Sequence, residues 1–315
     1  MIGTRIDGKY LVERCVDETA SSIVFRATHV LWQRPVALKV LKAADLSREA
    51  RTELLAAFVR EGALLAELSE SCAAICQARD VGAFTTFDGD WLPYTVLEWL
   101  DGQPLEALLT QGRAEGVRLC SITEVLALLT PVADALALAH AHGITHCDVK
   151  PGNVMVLEPS SDGRPRCKLL DFGTADTCAR KARVRTSVQL RSFTPAYGAP
   201  EQFDPSYGET GPWTDVYALA LIVVELLTGR EALSGSTMEG LAAQACDPLR
   251  RPTPQALGID VGDHLERILR RALDVDIRKR QPSARVFWDA LAHAGGTSPE
   301  TAPNIPIPLC RRRAA

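Results

Sequence analysis

The alternation of apolar and polar positions divides the chain into a strand-rich first third and a helix-rich remainder. Short segments rich in Val, Leu and Ile, separated by polar turns, predict five strands at residues 10–16, 23–28, 35–41, 79–84 and 92–99. Residues 48–68, between the third and fourth strands, are dense in Ala, Leu, Glu and Arg with helical periodicity. The pattern therefore predicts a small lobe made of an antiparallel sheet and one long helix.

The remainder of the chain has the periodicity of helices. The predicted helices are 105–111, 122–142, 214–228, 237–245, 263–273 and 283–292. We therefore expect an α+β protein with two lobes, a small lobe at about 8–100 and a larger, mainly helical lobe at about 101–294. Residues 158–166 predict an exposed loop, and residues 295–315, with four prolines before a terminal Arg run, predict a flexible tail.

Composition narrows the class of protein. At 315 residues with 46% hydrophobic side chains, the chain can bury a large core. Its net charge of -4 argues against nucleic acid as the main partner. No apolar run is expected to reach the ~18 residues of a membrane span, and no apolar signal segment stands at the start. Nine scattered cysteines do not resemble a disulfide framework, so we expect a cytoplasmic protein with reduced thiols.

Two short motifs carry the chemistry. Residues 146–153 read His-Cys-Asp-Val-Lys-Pro-Gly-Asn, and Asp-Phe-Gly follows at 171–173. Together they offer a carboxylate to orient a hydroxyl, a Lys for a migrating phosphoryl group and two oxygen ligands for Mg²⁺. Taken singly, Asp and Asn also serve as helix caps and turn residues. The order and spacing of the two motifs favour phosphoryl transfer.

With these motifs, the chain resembles a eukaryotic-type serine/threonine protein kinase, with the look of a bacterial member, from about residue 10 to about residue 293. The resemblance implies a bilobal kinase fold with ATP bound between the lobes. Asp148 would be the catalytic carboxylate, and Lys150 belongs to the Ser/Thr type of catalytic motif. Asn153 and Asp171 would bind Mg²⁺.

The resemblance also implies a nucleotide site in the small lobe. Lys39, in Val-Ala-Leu-Lys, would hold the α- and β-phosphates, and Glu61 would be its ion-pair partner. The backbones of Glu98 and Leu100 would bind the purine edge, with Leu97 at the back of the pocket. The apolar residues that contact the nucleotide would be Val16, Val24, Ala37 and Met155. Taken alone, the apolar residues are ordinary core positions, and Lys39 and Glu61 are ordinary surface charges.

A platform for a peptide substrate is implied further along the chain. Thr194, near the Ala-Pro-Glu of residues 199–201, fits the Ser/Thr type. Glu201 would pair with Arg280 to hold the substrate-binding segment, and Asp215 would anchor the backbone of the catalytic loop. Each of these is otherwise a common surface or turn residue.

The chain departs from the family pattern in two places. The phosphate-covering loop places Asp17, Thr19 and Ser22 where glycines are expected, so its backbone is less free to approach phosphates and Asp17 adds a like charge. Cys147 stands where many relatives have an Arg that reads a phosphate on the activation loop, so we expect weaker dependence on loop phosphorylation. Cys147 could be a redox-sensitive thiol or an inert buried one.

The favoured hypothesis is an ATP- and Mg²⁺-dependent kinase that phosphorylates Ser and Thr of proteins. Hydroxyls at 174–192 suggest self-phosphorylation, while the basic residues at 180–185 favour either acidic substrates or a solvated loop. One alternative is a pseudokinase, a binding module supported only by the altered phosphate loop. Another is a small-molecule phosphotransferase, which the implied peptide platform disfavours.

Overall fold

The computed structural model describes residues 1–19, 22–42, 47–116, 120–158, 166–172 and 193–296. The chain divides into two compact units, Met1–Asp101 and Gly102–Ala315. The first unit is built on a sheet, and the second is mainly helical.

The described part of the first unit contains a six-stranded antiparallel sheet and one long helix. Its elements are β1 (Arg5–Ile6), β2 (Tyr10–Glu18), β3 (Ser22–His29), β4 (Arg34–Leu41), α1 (Arg48–Ser71), β5 (Ala78–Thr85) and β6 (Trp91–Glu98). The strand order is β1-β2-β3-β4-β6-β5. One face of the sheet forms a core that includes Val12, Phe25, Leu38, Val40 and Val96.

Helix α1 starts at a serine cap and lies against the edge of this sheet. The side chain of Ser47 accepts a hydrogen bond from the Ala50 N–H, which satisfies one of the amides left open at the helix start. Gly62 is buried beside β5, and a Cβ at that position would lie 2.6 Å from Cγ2 of Val81. The absence of a side chain therefore allows the close approach of α1 to β5.

The predicted strands and helix of this unit are confirmed, each strand within two residues of its predicted ends. Strand β1 was missed. It has two residues, of which only Ile6 is buried, so it carries too few positions for an alternating pattern.

The described part of the second unit begins with β7 (Gly102–Pro104). Its further elements are α2 (Leu105–Glu115), α3 (Ile122–Ala141), β8 (Val154–Leu157), β9 (Arg166–Leu169), α4 (Pro200–Phe203), α5 (Pro212–Thr228), α6 (Met238–Ala245), α7 (Asp263–Ala272) and α8 (Ala284–Ala294). Helix α5 is the centre of this unit, because every residue from Thr214 to Thr228 is buried. Helix α3 packs against both α5 and α8.

The predicted helices of this unit are confirmed, with differences at their ends. Helix α2 runs past Gly112, which is buried, to Glu115, and the next residue, Gly116, caps it with a left-handed φ of +63°. Helix α5 begins two residues before its predicted start, at Pro212, because proline suits the first helical position.

The described part of the second unit also contains a three-stranded sheet, in the order β7-β8-β9. The prediction of an exposed loop at 158–166 is wrong for Arg166, which pairs with Leu157 at the start of β9. Residues 159–165 and the predicted tail from 297 onward lie outside the described residues.

The expectation that no segment is long and apolar enough to span a membrane is not met by length and composition alone. Among the described residues one helix, α3, passes that test, with a mean hydropathy of 1.7. However, 61% of its apolar window is buried inside the protein, as in the core helix of a folded domain. The apolar side chains of α3 therefore have a packing role here, and the helix is weak evidence for a membrane span.

Candidate active site

The catalytic segment after α3 is attached to the core through one carboxylate on α5. Asp215 accepts hydrogen bonds from the backbone N–H groups of His146 and Cys147, each at 2.8 Å. Its side chain is 1% exposed, so these bonds form away from water and hold two successive peptide groups. This geometry agrees with the anchoring role expected for Asp215.

A histidine on α3 completes this attachment. Nε2 of His140 donates to Oδ2 of Asp215 at 2.8 Å, and its Nδ1 accepts the N–H of Ala284 at 3.2 Å, at the start of α8. Both ring nitrogens are therefore used, and His140 joins α3, α5 and α8. In the sequence, His140 stands near the end of a helix and belongs to no motif. Its partners are 75 and 144 residues away, so no local pattern could identify them.

The backbone of the catalytic segment is strained at Cys147. Its φ is +64°, in the left-handed region that non-glycine residues rarely occupy. Such a conformation costs on the order of 1–3 kcal/mol and persists only where the surroundings hold it. Asp171, the first residue of the second motif, has a φ of +60°. Strain therefore occurs at both motifs.

The carboxylate of Asp148 is held by three groups. Oδ1 accepts the backbone N–H of Thr194 at 2.9 Å, while Oδ2 lies 3.0 Å from Nζ of Lys150 and 3.3 Å from Nδ2 of Asn153. Lys150 also donates to Oγ1 of Thr194 at 2.7 Å. The structure thus brings together the predicted carboxylate, the predicted lysine and the predicted threonine. This arrangement can orient a hydroxyl group and accept its proton.

The two predicted metal ligands are placed by short backbone links. Nδ2 of Asn153 donates to the carbonyl of Asp148 at 2.8 Å, which turns the side-chain oxygen of Asn153 away from Asp148. The backbone carbonyl of Asn153 accepts the N–H of Leu170 at 2.8 Å, next to Asp171. An amide oxygen and a carboxylate are hard oxygen donors of the kind that Mg²⁺ prefers. The donor chemistry of Asn153 and Asp171 therefore fits Mg²⁺.

The first unit presents four of its predicted nucleotide residues on one face of the sheet. Val24 pairs with Lys39 across β3 and β4, and Ala37 pairs with Leu97 across β4 and β6. Residues paired in an antiparallel sheet point to the same side. These four side chains are half-buried and alternate with the core residues of their strands. The strand register therefore places Lys39 beside an apolar surface on the face opposite the core.

The other predicted nucleotide residues are less grouped. The N–H of Glu98 donates to the carbonyl of Gln77 at 2.9 Å, so a purine contact from Glu98 would come from its carbonyl. Val16 lies at a register shift of β2 and is 45% exposed, outside the paired face. Leu100 follows β6, and Met155 belongs to β8 of the second unit. The side chain of Glu61, the predicted partner of Lys39, lies outside the described residues.

The described ends of the phosphate-covering loop, Thr19 after β2 and Ser22 at the start of β3, are bonded to each other. The backbone of Thr19 donates to the carbonyl of Ser22 at 2.8 Å, and Oγ1 of Thr19 accepts the N–H of Ser22 at 3.1 Å. Nζ of Lys42 binds the carboxylate of Glu18 at 2.7 Å and the carbonyl of Thr19 at 2.8 Å. Asp17 is exposed, and its carboxylate accepts the N–H of Glu18 at 2.9 Å. Hydroxyl groups and one Lys therefore hold the two described ends of the loop, where the family pattern has glycines.

The predicted substrate platform is held by a buried ion pair. Arg280 meets both carboxylate oxygens of Glu201, at 2.8 and 2.9 Å, and Thr214 donates to the same carboxylate at 2.8 Å. Both charged side chains are 0% exposed. The guanidinium also lies over the ring of Tyr217, at 4.8 Å from its centroid. The structure confirms the pairing of Glu201 with Arg280.

A second buried carboxylate supports the same segment. Glu225 on α5 accepts hydrogen bonds from the hydroxyl of Tyr197 and from Arg113. Burial raises the pKa of Glu225 above its usual value, although both hydrogen bonds act in the opposite direction. Burial and the nearby Glu225 raise the pKa of the Tyr197 hydroxyl, so it stays a donor. Tyr197 is thereby fixed beside Thr194. The activation-loop residues 173–192 lie outside the described residues.

Comparisons with known proteins agree with this geometry. The family model of the protein kinase domain matches residues 10–290. The chain is 34% identical over 242 residues to the serine/threonine-protein kinase PknL of Mycobacterium bovis, across 77% of this chain and 55% of PknL. It is 37% identical over 201 residues to the serine/threonine-protein kinase Pkn1 of Myxococcus xanthus, across 63% of this chain and 27% of Pkn1. This chain thus spans about half the length of PknL and about a quarter of the length of Pkn1.

Solved structures give the same result. A crystal structure of the Mycobacterium tuberculosis PknI kinase domain, a double mutant, matches with a TM-score of 0.66 and 30% identity, over 94% of this chain and 99% of that domain. The unmutated PknI domain matches with a TM-score of 0.63 and 28% identity, over 93% and 99% of the two chains. These matches confirm the expected kinase fold, with its antiparallel sheet and helical part. The chain belongs to the protein kinase domain family, and its named relatives are bacterial serine/threonine-protein kinases.

Proposed function

We propose that this chain transfers the γ-phosphoryl group of ATP to Ser and Thr hydroxyls of proteins. The observation that carries the proposal is the contact of Asp148 with both Lys150 and Thr194. Lys150 and Thr194 also contact each other, so the three residues form one closed group. Thr194 belongs to the platform segment, residues 193–203. To an incoming hydroxyl, this group offers the carboxylate of Asp148 as a base and Lys150 as a cation, and the backbone of Thr194 aligns the carboxylate.

In the proposed reaction, Asp148 and Lys150 act on the reacting groups, and other residues bind Mg²⁺ and the nucleotide. Asp148 orients the acceptor hydroxyl and takes its proton as the oxygen bonds to the γ-phosphorus, and the bond from that phosphorus to the ADP oxygen breaks. Lys150 offsets the negative charge of the migrating phosphoryl group. Asn153 and Asp171 would hold Mg²⁺, which neutralises phosphate charge when bound. Lys39 would contact the α- and β-phosphates.

The test is transfer of label from ATP to the chain itself and to a generic basic protein. We expect incorporation with Mg²⁺ and its loss when a chelator removes the metal, followed by recovery when Mg²⁺ is added back. Phosphate on Ser and Thr but not Tyr would support the proposed acceptor class. Nucleotide binding without any transfer would instead favour the pseudokinase, and transfer to small molecules alone would favour the third alternative.

Self-phosphorylation belongs to the same proposal. Residues 174–192 contain Thr177, Thr186 and Ser187 beside basic side chains, which suit a phosphorylated acceptor. Phosphosite mapping of active protein should find at least one of these hydroxyls modified, and a map without any would refute this part. The cytoplasmic location and the absence of nucleic-acid partners stay predictions from the sequence.

The altered phosphate loop leads to a prediction for ATP affinity. Asp17→Asn keeps an oxygen for the N–H of Glu18 but removes a negative charge that faces phosphate in the proposed complex. Removing a screened repulsion of about 1 kcal/mol should lower the Kd for MgATP about fivefold at low salt and less at high salt. Titration of nucleotide binding at two salt concentrations measures the effect.

The matched control for this prediction is Glu18→Gln. Glu18 is the next residue in the same strand, but its carboxylate is already bound to Lys42. We expect a smaller gain in affinity from this variant, or a loss if Lys42 then shifts. Equal Kd values for the wild type and Asp17→Asn at low salt would show that the carboxylate of Asp17 does not repel the phosphates.

A further inference from the structure

A buried glutamine joins the platform segment to the catalytic loop. Gln202 lies in the short helix α4 and is 7% exposed. Its Oε1 accepts the backbone N–H of Ala199 at 3.0 Å, and its Nε2 donates to the backbone carbonyl of Cys147 at 2.7 Å. The first bond holds the amide of Gln202 within its own segment. The second bond reaches 55 residues back along the chain to the residue before Asp148.

The carbonyl that Gln202 holds belongs to the peptide group whose nitrogen is that of Asp148. The orientation of this peptide group sets the direction of the Asp148 side chain. The same residue, Cys147, has a φ of +64°, so its backbone must be held from outside. Asp215 holds its N–H and Gln202 holds its carbonyl. The two contacts lie on opposite sides of one strained residue.

The backbone carbonyl of Cys147 belongs to a buried residue. Cys147 is 4% exposed, and a carbonyl buried there without a donor costs about 1–3 kcal/mol. The platform segment makes one more contact with the next residue, from the N–H of Thr194 to Oδ1 of Asp148. Two hydrogen bonds from uncharged donors in residues 193–203 therefore meet two successive residues of the catalytic loop.

We infer that Gln202 is a positioning residue, which couples the seating of the acceptor platform to the orientation of Asp148. The inference rests on the proposed function and adds a residue to it. When the contact of Gln202 with Cys147 is intact, hydrogen bonds from uncharged donors of the platform segment hold both Cys147 and the carboxylate of Asp148. Loss of the contact should lower kcat and leave the KM for ATP nearly unchanged, because the nucleotide residues are not touched.

Two substitutions separate the bonds of Gln202. Gln202→Met keeps the length and burial of the side chain but removes both hydrogen bonds. Gln202→Glu keeps an oxygen for the N–H of Ala199 but, when ionised, has no proton to donate to Cys147. Burial raises the pKa of a carboxyl group, so mild acid should protonate this Glu and restore the donor.

The matched control is Gln281→Met. Gln281 is also a buried amide of the second unit, at 2% exposure, and its Nε2 donates to the backbone carbonyl of Ile268 at 3.2 Å. The control removes the same type of side chain and the same type of bond away from the catalytic loop. The cost of losing one buried amide donor is therefore common to both Met variants.

The experiment measures kcat and the KM for ATP at pH 6 and pH 8, with melting curves for every variant. We expect Gln202→Met to lose about 10- to 100-fold in kcat relative to Gln281→Met, as small misplacements of reacting groups do. Gln202→Glu should show the same loss at pH 8 and recover part of it at pH 6, where the wild type does not gain. A kcat within twofold of Gln281→Met, or a Glu variant with the pH profile of the wild type, would overturn the inference.

Hydrogen exchange of residues 146–149 separates this inference from the proposed function. These amides should exchange faster in Gln202→Met than in the wild type and in Gln281→Met, whether or not the protein transfers phosphate. If the wild type incorporates no label, the proposed function fails, and the exchange rates still decide the contact. Unchanged exchange would overturn the inference, as would failure of both Gln202 variants to fold, since Gln202 would then serve folding alone.

Discussion

Asp148→Asn is expected to lower kcat for phosphate transfer by about 10²- to 10⁴-fold, the usual contribution of a general base. Asn has the size of Asp, and its oxygen can still accept the N–H of Thr194, which now binds Oδ1. Lys150 also keeps its contact with Oγ1 of Thr194. The substitution therefore removes the charge and basicity of the carboxylate and the acceptor that Oδ2 offers to Lys150 and Asn153, while the bonds to Thr194 stay in place.

The measurement is initial-rate kinetics with labelled ATP, together with a direct nucleotide titration. We expect the Kd for MgATP to change less than twofold, because Asp148 is proposed to contact the hydroxyl and not the nucleotide. The control is Asp134→Asn, which alters an exposed carboxylate of α3 that binds Arg285 at 2.8 Å. Full kcat in Asp148→Asn, at wild-type protein purity, would remove Asp148 from the reaction.

The second large effect concerns stability. Arg280→Met is expected to lower the free energy of unfolding by about 3–5 kcal/mol, because it leaves the carboxylate of Glu201 buried without its cation. Thr214 would be the one remaining side-chain donor among the contacts described for this carboxylate. Denaturant unfolding, read as the midpoint at unchanged slope, measures the loss.

The comparison for this effect is Arg285→Met. Arg285 also pairs with an Asp at 2.8 Å, but its side chain is 50% exposed, so the expected loss is about 0–1 kcal/mol. A double-mutant cycle of Arg280→Met with Glu201→Gln should give strong coupling between the two substitutions, because they touch one pair. Equal losses for the two Arg variants would show that burial does not strengthen the Arg280 contact.

The elements of this fold were largely predictable, because strands and helices repeat their own pattern within a few residues. Strands β3 and β4 largely alternate between buried and half-buried positions, and the buried helix α5 is mainly apolar. Strand β7 could not be predicted, since it runs from Gly102 to Pro104 and gains its pairing from β8. Gly102 and Pro104 have a low propensity for strands, but their pairing with a strand that is distant in the sequence outweighs this propensity.

The candidate site divides in the same way. Asp148, Lys150 and Asn153 stand within one short motif, so their grouping follows from local sequence. His140 and Gln202 act through partners 55 or more residues away, and neither stands in a motif that specifies those partners. The left-handed backbone of Cys147 was equally hidden, because cysteine has no preference for it and the conformation depends on the groups that hold it.

The attachment of the catalytic loop to Asp215 has a consequence for protein engineering. The loop has its shape because a carboxylate on a buried helix accepts hydrogen bonds from two of its peptide groups, and His140 on a second helix holds that carboxylate. A graft of residues 146–153 onto a foreign scaffold would lack these hydrogen bonds and lose the conformation needed for chemistry. The smallest transplantable unit is therefore three-dimensional, and it comprises the loop together with the crossing segments of α3 and α5.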